Sequence, residues 1–388
     1  MTTYLRRIAL ATLAVTAPSL GAVELDMHGS MAQGYVISDG NNAYGSSISG
    51  GSTALSEVAL NGRASLTPQI LVSAQLMARR AGAADDGELR VDFAQIDYQF
   101  LSNMRGHMGL RLGQVKNPYG LFNDTRDVVF ARPGVAMPSV YLESTGLRDL
   151  LFSSEGVQLY GQRINGDRVT GLTLGAGRKR DVTDDFRPTL ERSGLSGDVD
   201  IENFYLAQWT GDWASGRLQL ALSYLNGDLV FTPDDPAAAF TALRLDAELW
   251  LASLQLRGAL GVLTAEYNLT DVAQLSALGR SRSKGDGVYI QYRGFLHKGL
   301  DWYLRYDLNF ADRNDRDGRR REAAGGERHG GFSRDHVLGL SWQLGSNWGL
   351  FAEHHYLDGT SQVRGDDNVG RTLDRYWQMS LIMLAYRF

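Results

Sequence analysis

Apolar and polar residues alternate along most of this chain, in stretches of about ten residues that end at turn-forming residues. In the clearest case, every second position is apolar, at Trp302, Leu304, Tyr306, Leu308 and Phe310. The positions between them carry aspartate, tyrosine, arginine, aspartate and asparagine. A period of two residues is that of a β-strand and not of a helix. Each such stretch therefore predicts a strand with one apolar and one polar face.

The same pattern predicts sixteen strands. They lie near 26–37, 54–66, 69–79, 88–100, 105–115, 153–163, 168–178, 201–212, 217–227, 240–256, 260–270, 285–296, 300–311, 334–344, 348–358 and 373–388. Short and long connections alternate between them, and the long ones cover 38–53, 80–87, 116–152, 179–200, 228–239, 271–284, 312–333 and 359–372. An even strand number with short turns at one end and long loops at the other is typical of bacterial outer-membrane barrels.

The first 22 residues have the features of an export signal. Arg6 and Arg7 precede an apolar run from Ile8 to Ala17, and mostly small residues follow as far as Ala22. The run is shorter than the ~20 residues that a spanning helix needs, and an uncleaved anchor is the alternative. We predict a signal peptide over 1–22 and a single transmembrane barrel over 23–388.

Composition is consistent with a barrel once the two faces of each strand are considered. The mean hydropathy of -0.24 would suit a soluble protein, but it averages an apolar face and a polar face. The absence of cysteine excludes disulfides and thiolate metal sites, and a net charge of -5 leaves no basic surplus for nucleic acid. We expect an all-β barrel in the outer membrane of a Gram-negative bacterium, with outer-membrane lipid and lipopolysaccharide as partners and with no cofactor.

The final residues also point to that membrane. Leu384, Tyr386 and Phe388 occupy alternate positions, which resembles the C-terminal strand signal of outer-membrane proteins. We expect the last strand to close onto the first, and Tyr386 and Phe388 to lie in an aromatic girdle at the periplasmic side.

The segment from Gly113 to Gly120 carries a second resemblance. It reads Gly-Gln-Val-Lys-Asn-Pro-Tyr-Gly and is similar to the Gly-Gln-x-Lys-x-Pro-x-Gly stretch of the phosphate-selective porin O and P family. It enters the third long connection, 116–152, which is the longest. The third extracellular loop of trimeric general porins folds into the barrel, and this chain resembles that plan. In the porin O and P family lysines bind the anion, and of the four lysines here Lys116 alone falls near the predicted constriction.

The resemblance implies a homotrimeric porin. Its channel would pass small hydrophilic solutes or ions by passive diffusion, with an anion preference, and the inward-folding third loop would narrow it. An anion site built from arginine is a further option, because arginine also binds phosphate.

The pore lining is predicted from the polar strand faces and the loop. Early strands contribute mostly basic residues and later strands more acidic ones, so we expect a transverse field that sets ion selectivity; the alternative is that these are solvated lumen residues without tuned selectivity. In 243–251 the apolar face should meet lipid, which places Asp246 and Glu248 inside. The candidate pore-lining and constriction residues are Arg63, Arg79, Arg105, Arg111, Lys116, Asp124, Arg126, Asp127, Arg132, Asp246, Glu248 and Asp307.

Three other functions stay open. A barrel of this kind could serve as a receptor or adhesin, or the chain could be a soluble exported β protein that is extracted without detergent. An outer-membrane enzyme would need a nucleophile beside a histidine, and no G-x-S-x-G motif is present. We therefore expect no enzymatic activity. His354 and His355 point to opposite faces of a strand, so they cannot bind one metal together.

Overall fold

A computed structural model describes residues 24–143, 151–179, 182–183, 190, 194–235, 238, 241–277 and 279–388. The predicted signal peptide lies outside these residues. The described residues form sixteen antiparallel strands that close into one barrel, each paired with its neighbours in sequence. The strands are β1 (Glu24–Ser38), β2 (Ser52–Thr67), β3 (Ile70–Ala81), β4 (Asp86–Asn103), β5 (Gly106–Lys116), β6 (Ser153–Asn165), β7 (Arg168–Lys179), β8 (Gly197–Trp213), β9 (Leu218–Pro233), β10 (Leu243–Arg257), β11 (Gly261–Ser276), β12 (Gly279–His297), β13 (Leu300–Phe310), β14 (Phe332–Leu344), β15 (Trp348–Gly359) and β16 (Tyr376–Arg387). All sixteen predicted strands are confirmed.

Helices are minor in the described residues. They include a five-residue α-helix, Arg319–Ala323, and single turns of 3-10 helix in the connections. None of the helices in the described part of the chain has the length and apolar character to cross a membrane.

The alternation in sequence separates an outer and an inner face. On β13, Leu304 and Tyr306 are 51% and 40% exposed on the outside, whereas Tyr303, Arg305 and Asp307 are buried inside. Strand β2 divides in the same way, with Val58 exposed and Glu57 buried. For these strands the predicted faces are confirmed.

The barrel closes between the first and last strands, as predicted. Ser30 of β1 lies opposite Arg387 of β16. The ladder continues to Phe388, whose backbone amide donates to the Gly29 carbonyl at 3.0 Å and whose carbonyl accepts from the Gly29 amide at 3.2 Å.

Two of the predicted long connections are wrong. The segment 271–284 belongs mostly to β11 and β12, and the connection predicted at 80–87 shortens to 82–85. In the extended β11–β12 hairpin, Asp271 pairs with Arg282 at 2.5 Å and with Lys284 at 3.2 Å. Such charged cross-strand pairs stabilise strands that lack apolar alternation. Because this hairpin lacks that alternation, the sequence pattern predicted a loop there.

The two faces of β10 are inverted relative to the prediction. Leu249 and Leu251 are fully buried inside the barrel, whereas Trp250 is 41% exposed outside, 4.6 Å from the Tyr224 ring. Asp246 and Glu248 share the outer face with Trp250, and their assignment to the pore is corrected. Alternation defines two faces but not which one turns inward, and here the leucine face is covered from inside by other parts of the chain.

Arg105 also needs correction. It lies exposed in the short turn between β4 and β5, since β5 begins at Gly106. The predicted strand began one residue too early and therefore placed this side chain on the barrel wall.

Two apolar clusters fill parts of the interior. In the first, residues from the β5–β6 connection pack against inward faces of β8, β9, β10 and β12. Its buried members are Tyr119, Val140, Tyr141, Leu142, Leu151, Val182, Val199, Ile201, Phe204, Leu206, Leu225, Leu229, Phe231, Ala247, Leu249, Leu251 and Tyr289. In the second, Val129 and Val135 of the same connection join inward residues of β1, β2, β3, β15 and β16. The connection thus meets opposite walls of the barrel.

Candidate functional site

The connection between β5 and β6, here called the β5–β6 loop (residues 117–152), begins at the Gly-Gln-Val-Lys-Asn-Pro-Tyr-Gly motif. Gly120 has a φ of +63°, which favours glycine, and a Cβ added there would lie 2.5 Å from Leu251 Cδ2. Its amide donates to Ser223 Oγ at 2.9 Å, and its carbonyl accepts from Gln208 Nε2 at 3.0 Å. The second glycine of the motif therefore lets the loop backbone lie directly against the inward faces of β8, β9 and β10.

Glu266 of β11 is the main anchor of this side of the loop. Its carboxylate accepts hydrogen bonds from the Leu121 amide (3.1 Å) and from the hydroxyls of Tyr141 (2.7 Å), Tyr289 (2.7 Å) and Ser253 (2.6 Å). Burial raises the pKa of the Tyr141 hydroxyl well above its usual range, so this hydroxyl stays protonated and acts as a donor. Glu266 thus fixes both ends of the loop segment from Leu121 to Tyr141.

A third set of contacts holds the middle of the loop to β12, β13 and β15. Gln291 Nε2 donates to the Pro133 carbonyl at 2.9 Å, and the Ala136 amide donates to Glu353 Oε2 at 2.8 Å. Ser139 donates to both oxygens of Asp307, from its amide (2.8 Å) and its hydroxyl (2.5 Å). Asp307, a predicted site residue, therefore positions the loop.

Buried charges attach the loop to β2 and β3. Glu57 of β2 pairs with Arg79 of β3 at 3.2 Å and with Arg132 of the loop. Arg79 also pairs with Glu143 at 3.0 Å, and Glu143 pairs with Arg126. Arg79, Arg126 and Arg132, all predicted as constriction residues, thus form one buried network of alternating charges.

Each inward arginine of the early strands has an acidic partner. Arg63 pairs with Asp26 at 2.7 Å, and Arg111 pairs with Asp97 at 3.1 Å, in addition to the Arg79 network. Of these arginines, Arg63 is the most exposed, with 59% of its side chain accessible to solvent. The predicted basic wall is therefore largely neutralised by carboxylates on neighbouring strands.

The remaining loop residues of the prediction cluster at its start. Lys116 Nζ lies 3.0 Å from Asp127 Oδ2 and donates to the Asp124 carbonyl at 3.1 Å. Gln75 donates to both Asp92 and Asp127. The Asp124 side chain itself is exposed. Lys116 thus holds the start of the loop to the strand through the buried carboxylate of Asp127.

A cavity of about 130 Å³ lies on the side of the loop that faces the long connections. One part of its lining is apolar, with Leu357, Trp377 and Met379. The other part is charged. Its charged and histidine members are Arg79, Glu143, Arg305, Asp307, Asp335, Arg364, Asp367 and His355. We call this cavity the chamber.

The chamber contains residues that the sequence prediction missed, above all Asp335, His355 and Trp377. His355 Nδ1 lies 2.7 Å from Asp335 Oδ2, whereas His354 lies on the outer face with Ser380 Oγ 2.8 Å away. The opposite orientation of the two histidines is as predicted. In the described part of the chain, no group of His, Asp and Glu is arranged to hold a metal ion.

A larger recess opens at the end of the barrel that carries the short turns. It measures about 800 Å³ and is lined by Glu24, Arg63, Asp97, Gln99 and Tyr160 among others. The Arg63 and Arg111 pairs lie in or beside it. The β5–β6 loop lies between this recess and the chamber, so predicted site residues are divided between two compartments.

Comparison with known proteins identifies the fold. No protein-family model matches the sequence, and no curated protein sequence matches it. The chain is similar in structure to the anion-selective porin from Comamonas acidovorans, with a TM-score of 0.58 and 13% identity over 94% of this chain and 100% of that one. It is also similar to the outer membrane channel DcaP of Acinetobacter baumannii, with a TM-score of 0.57 and 12% identity over 94% and 97% of the two chains.

A trimer form of OmpT, an outer membrane protein of Vibrio cholerae, gives a TM-score of 0.57 at 12% identity, over 95% of this chain and 100% of that one. At these identities the likeness concerns the backbone and not individual residues. The chain has the sixteen-stranded barrel fold of outer-membrane porins.

Proposed function

We propose that the chain is a porin of a Gram-negative outer membrane, through which small hydrophilic solutes or ions diffuse. The observation that carries this proposal is the β5–β6 loop, which is hydrogen-bonded to inward side chains on opposite walls of the barrel. A sixteen-stranded wall encloses more space than its own side chains fill. The loop would narrow that space to a constriction, as the sequence led us to expect.

The outer surface supports a membrane location. Four aromatic side chains lie next to one another on neighbouring strands, at Tyr205, Tyr224, Trp250 and Tyr267. Beyond this row, toward the long connections, the outer face of β8 to β12 is charged, and Arg244 pairs there with Asp228 at 2.6 Å. Aromatic rows mark the interface of a bilayer. The charged zone would then contact lipopolysaccharide head groups at the extracellular side.

The outer face of β2 and β3 supports assembly as a homotrimer. Gly62 lies opposite Ala74, and Ala64 is the next outward residue along β2. Small outward residues make this patch flat, so backbones of two copies could approach closely there. We propose that three copies associate through this patch.

Conductance and solute flux test the proposal together. The purified protein should form open channels in planar bilayers that close in three equal steps, and it should swell liposomes in small sugars. A barrel that neither conducts nor swells liposomes would contradict the porin function and favour a receptor or adhesin. Channels that close in a single step would contradict the trimer alone.

Charge selectivity should depend on the Arg63–Asp26 and Arg111–Asp97 pairs at the short-turn end of the barrel. In the double variant Arg63→Gln, Arg111→Gln, two positive charges disappear and their partners Asp26 and Asp97 remain. We expect the reversal potential in a salt gradient to shift toward cation preference, because the lumen field becomes more negative. The measurement is the zero-current potential of single channels.

Arg244→Gln provides the matched control. It also removes one arginine that pairs with carboxylates, but this arginine lies on the outer face of β10. Its reversal potential should equal that of the unaltered protein. An unchanged potential in the double variant would contradict the proposed role of Arg63 and Arg111.

A further inference from the structure

The chamber contains a buried arginine whose donors are unused. The side chain of Arg305 is 1% exposed, and its Nε and Nη1 atoms have no hydrogen-bond acceptor in the described residues. Its nearest carboxylate contact is 3.8 Å, from Nη1 to Glu353 Oε1. A buried charge without hydrogen bonds is strongly unfavourable, so such a group calls for a partner.

The neighbouring carboxylates hydrogen-bond the loop and the wall, and in the described residues none of them accepts from Nε or Nη1 of Arg305. The two oxygens of Glu353 accept from the Tyr303 hydroxyl (2.6 Å) and the Ala136 amide (2.8 Å). Both oxygens of Asp307 accept from Ser139. The acids around Arg305 thus bond to the loop and the wall, while the guanidinium lines the chamber.

A carboxylate oxygen in the same chamber is also unpartnered. Asp335 Oδ2 is bonded to His355 Nδ1, but the buried Oδ1 has no hydrogen-bond donor in the described residues. Arg305 lies opposite Val337 on β14, two residues from Asp335 on the same face. Both side chains line the chamber, so a solute with one anionic and one cationic group could pair with the guanidinium and with Oδ1 at the same time.

Another part of the chamber wall is apolar. Leu357, Trp377 and Met379 are each at most 9% exposed and line it beside Asp335 and His355, the cross-strand neighbours of Leu357 and Met379. The cavity volume of about 130 Å³ is well above the roughly 10–15 Å³ that one water needs, so there is room for a small organic solute.

We propose that the chamber binds one α-amino acid with an apolar side chain. Its carboxylate pairs with Arg305, its ammonium group pairs with Asp335, and its side chain packs against Leu357, Trp377 and Met379. A plain carboxylic acid would leave Asp335 Oδ1 unpaired, and a plain amine would leave Arg305 unpaired. This inference rests on the proposed porin function. It deepens that function by naming the class of solute that binds in the chamber, next to the loop.

Calorimetric titration of the full-length barrel in detergent tests the proposal. The probes are L-leucine, 4-methylpentanoic acid, which lacks the ammonium group, 3-methylbutylamine, which lacks the carboxylate, and glycine, which lacks the side chain. L-leucine should bind at least about tenfold more tightly than each of the other three. No binding heat with L-leucine, or equal affinity for any of the three, would overturn the proposal.

Variants identify the site. Asp335→Asn should weaken L-leucine binding about tenfold or more and leave 4-methylpentanoic acid unaffected. Asp301→Asn is the control, since Asp301 lies on the same face of β13 as Arg305 but at the other end of the strand. An equal loss in both variants would overturn the assignment. If Asp335→Asn does not fold, Leu357→Ala serves instead, and it should weaken L-leucine binding several-fold.

Liposome swelling on the same preparation separates this inference from the porin function. A protein that passes sugars but does not bind L-leucine overturns the chamber site alone. A protein that binds L-leucine but passes no solute contradicts the channel and leaves the binding site in place.

Discussion

Gly120→Ala is expected to move the β5–β6 loop away from the wall and raise single-channel conductance several-fold. The new Cβ would lie 2.5 Å from Leu251 Cδ2 and 2.7 Å from the Tyr141 hydroxyl. Because Leu251 and Tyr141 are fully buried, we expect the loop to shift to relieve these contacts, which breaks the bond from the Gly120 amide to Ser223. The positive φ adds about 1–2 kcal/mol of strain. Conductance in planar bilayers and the thermal unfolding midpoint are the measurements.

Gly166→Ala tests the backbone strain of a positive φ without the steric contacts of an added Cβ. Gly166 lies in the turn between β6 and β7 with the same φ of +63°, and no atom lies within 4 Å of an added Cβ. This variant should lose a little thermal stability and conduct like the unaltered protein. Equal conductance in the two variants would show that the contacts of Gly120 do not hold the loop in the conduction path.

The strands could be predicted because their signal is local. On β13, Leu304 and Tyr306 alternate with Arg305 and Asp307, and a two-residue period needs no knowledge of distant residues. The same local information failed on β10, where one face is leucine and the other is charged. Which face turns inward there depends on Tyr119 and Tyr141, which lie more than a hundred residues earlier in the chain.

The site was predictable only in part for the same reason. Glu57 and Arg79 lie directly opposite each other on β2 and β3, so their pairing follows from the register of one hairpin. The chamber instead combines Arg305, Asp335 and Trp377 from three strands with residues of the loop. Alternation shows that a side chain points into the barrel. It does not show where that side chain lies along the barrel axis relative to the loop that folds across the interior.

Glu57→Leu should have the largest effect on stability, because it removes the carboxylate that joins the loop to β2. Arg132 pairs with Glu57 and otherwise with the backbone carbonyls of Arg126 and Val135. Removal of one partner from a buried ion pair leaves an uncompensated charge and costs about 3–5 kcal/mol. Guanidinium unfolding and refolding in lipid vesicles measures the change in unfolding free energy.

Asp26→Leu is the matched control, since it removes the acid from an exposed pair on the same sheet. Its partner Arg63 is 59% exposed, so water takes over its solvation and the loss should be at most about 1 kcal/mol. The double variant Glu57→Leu, Arg132→Leu should recover most of the stability that Glu57→Leu loses, because no buried charge is then left without its partner. A double variant no more stable than Glu57→Leu would mean that the loop needs the ion pair itself and not merely the absence of an unpaired Arg132.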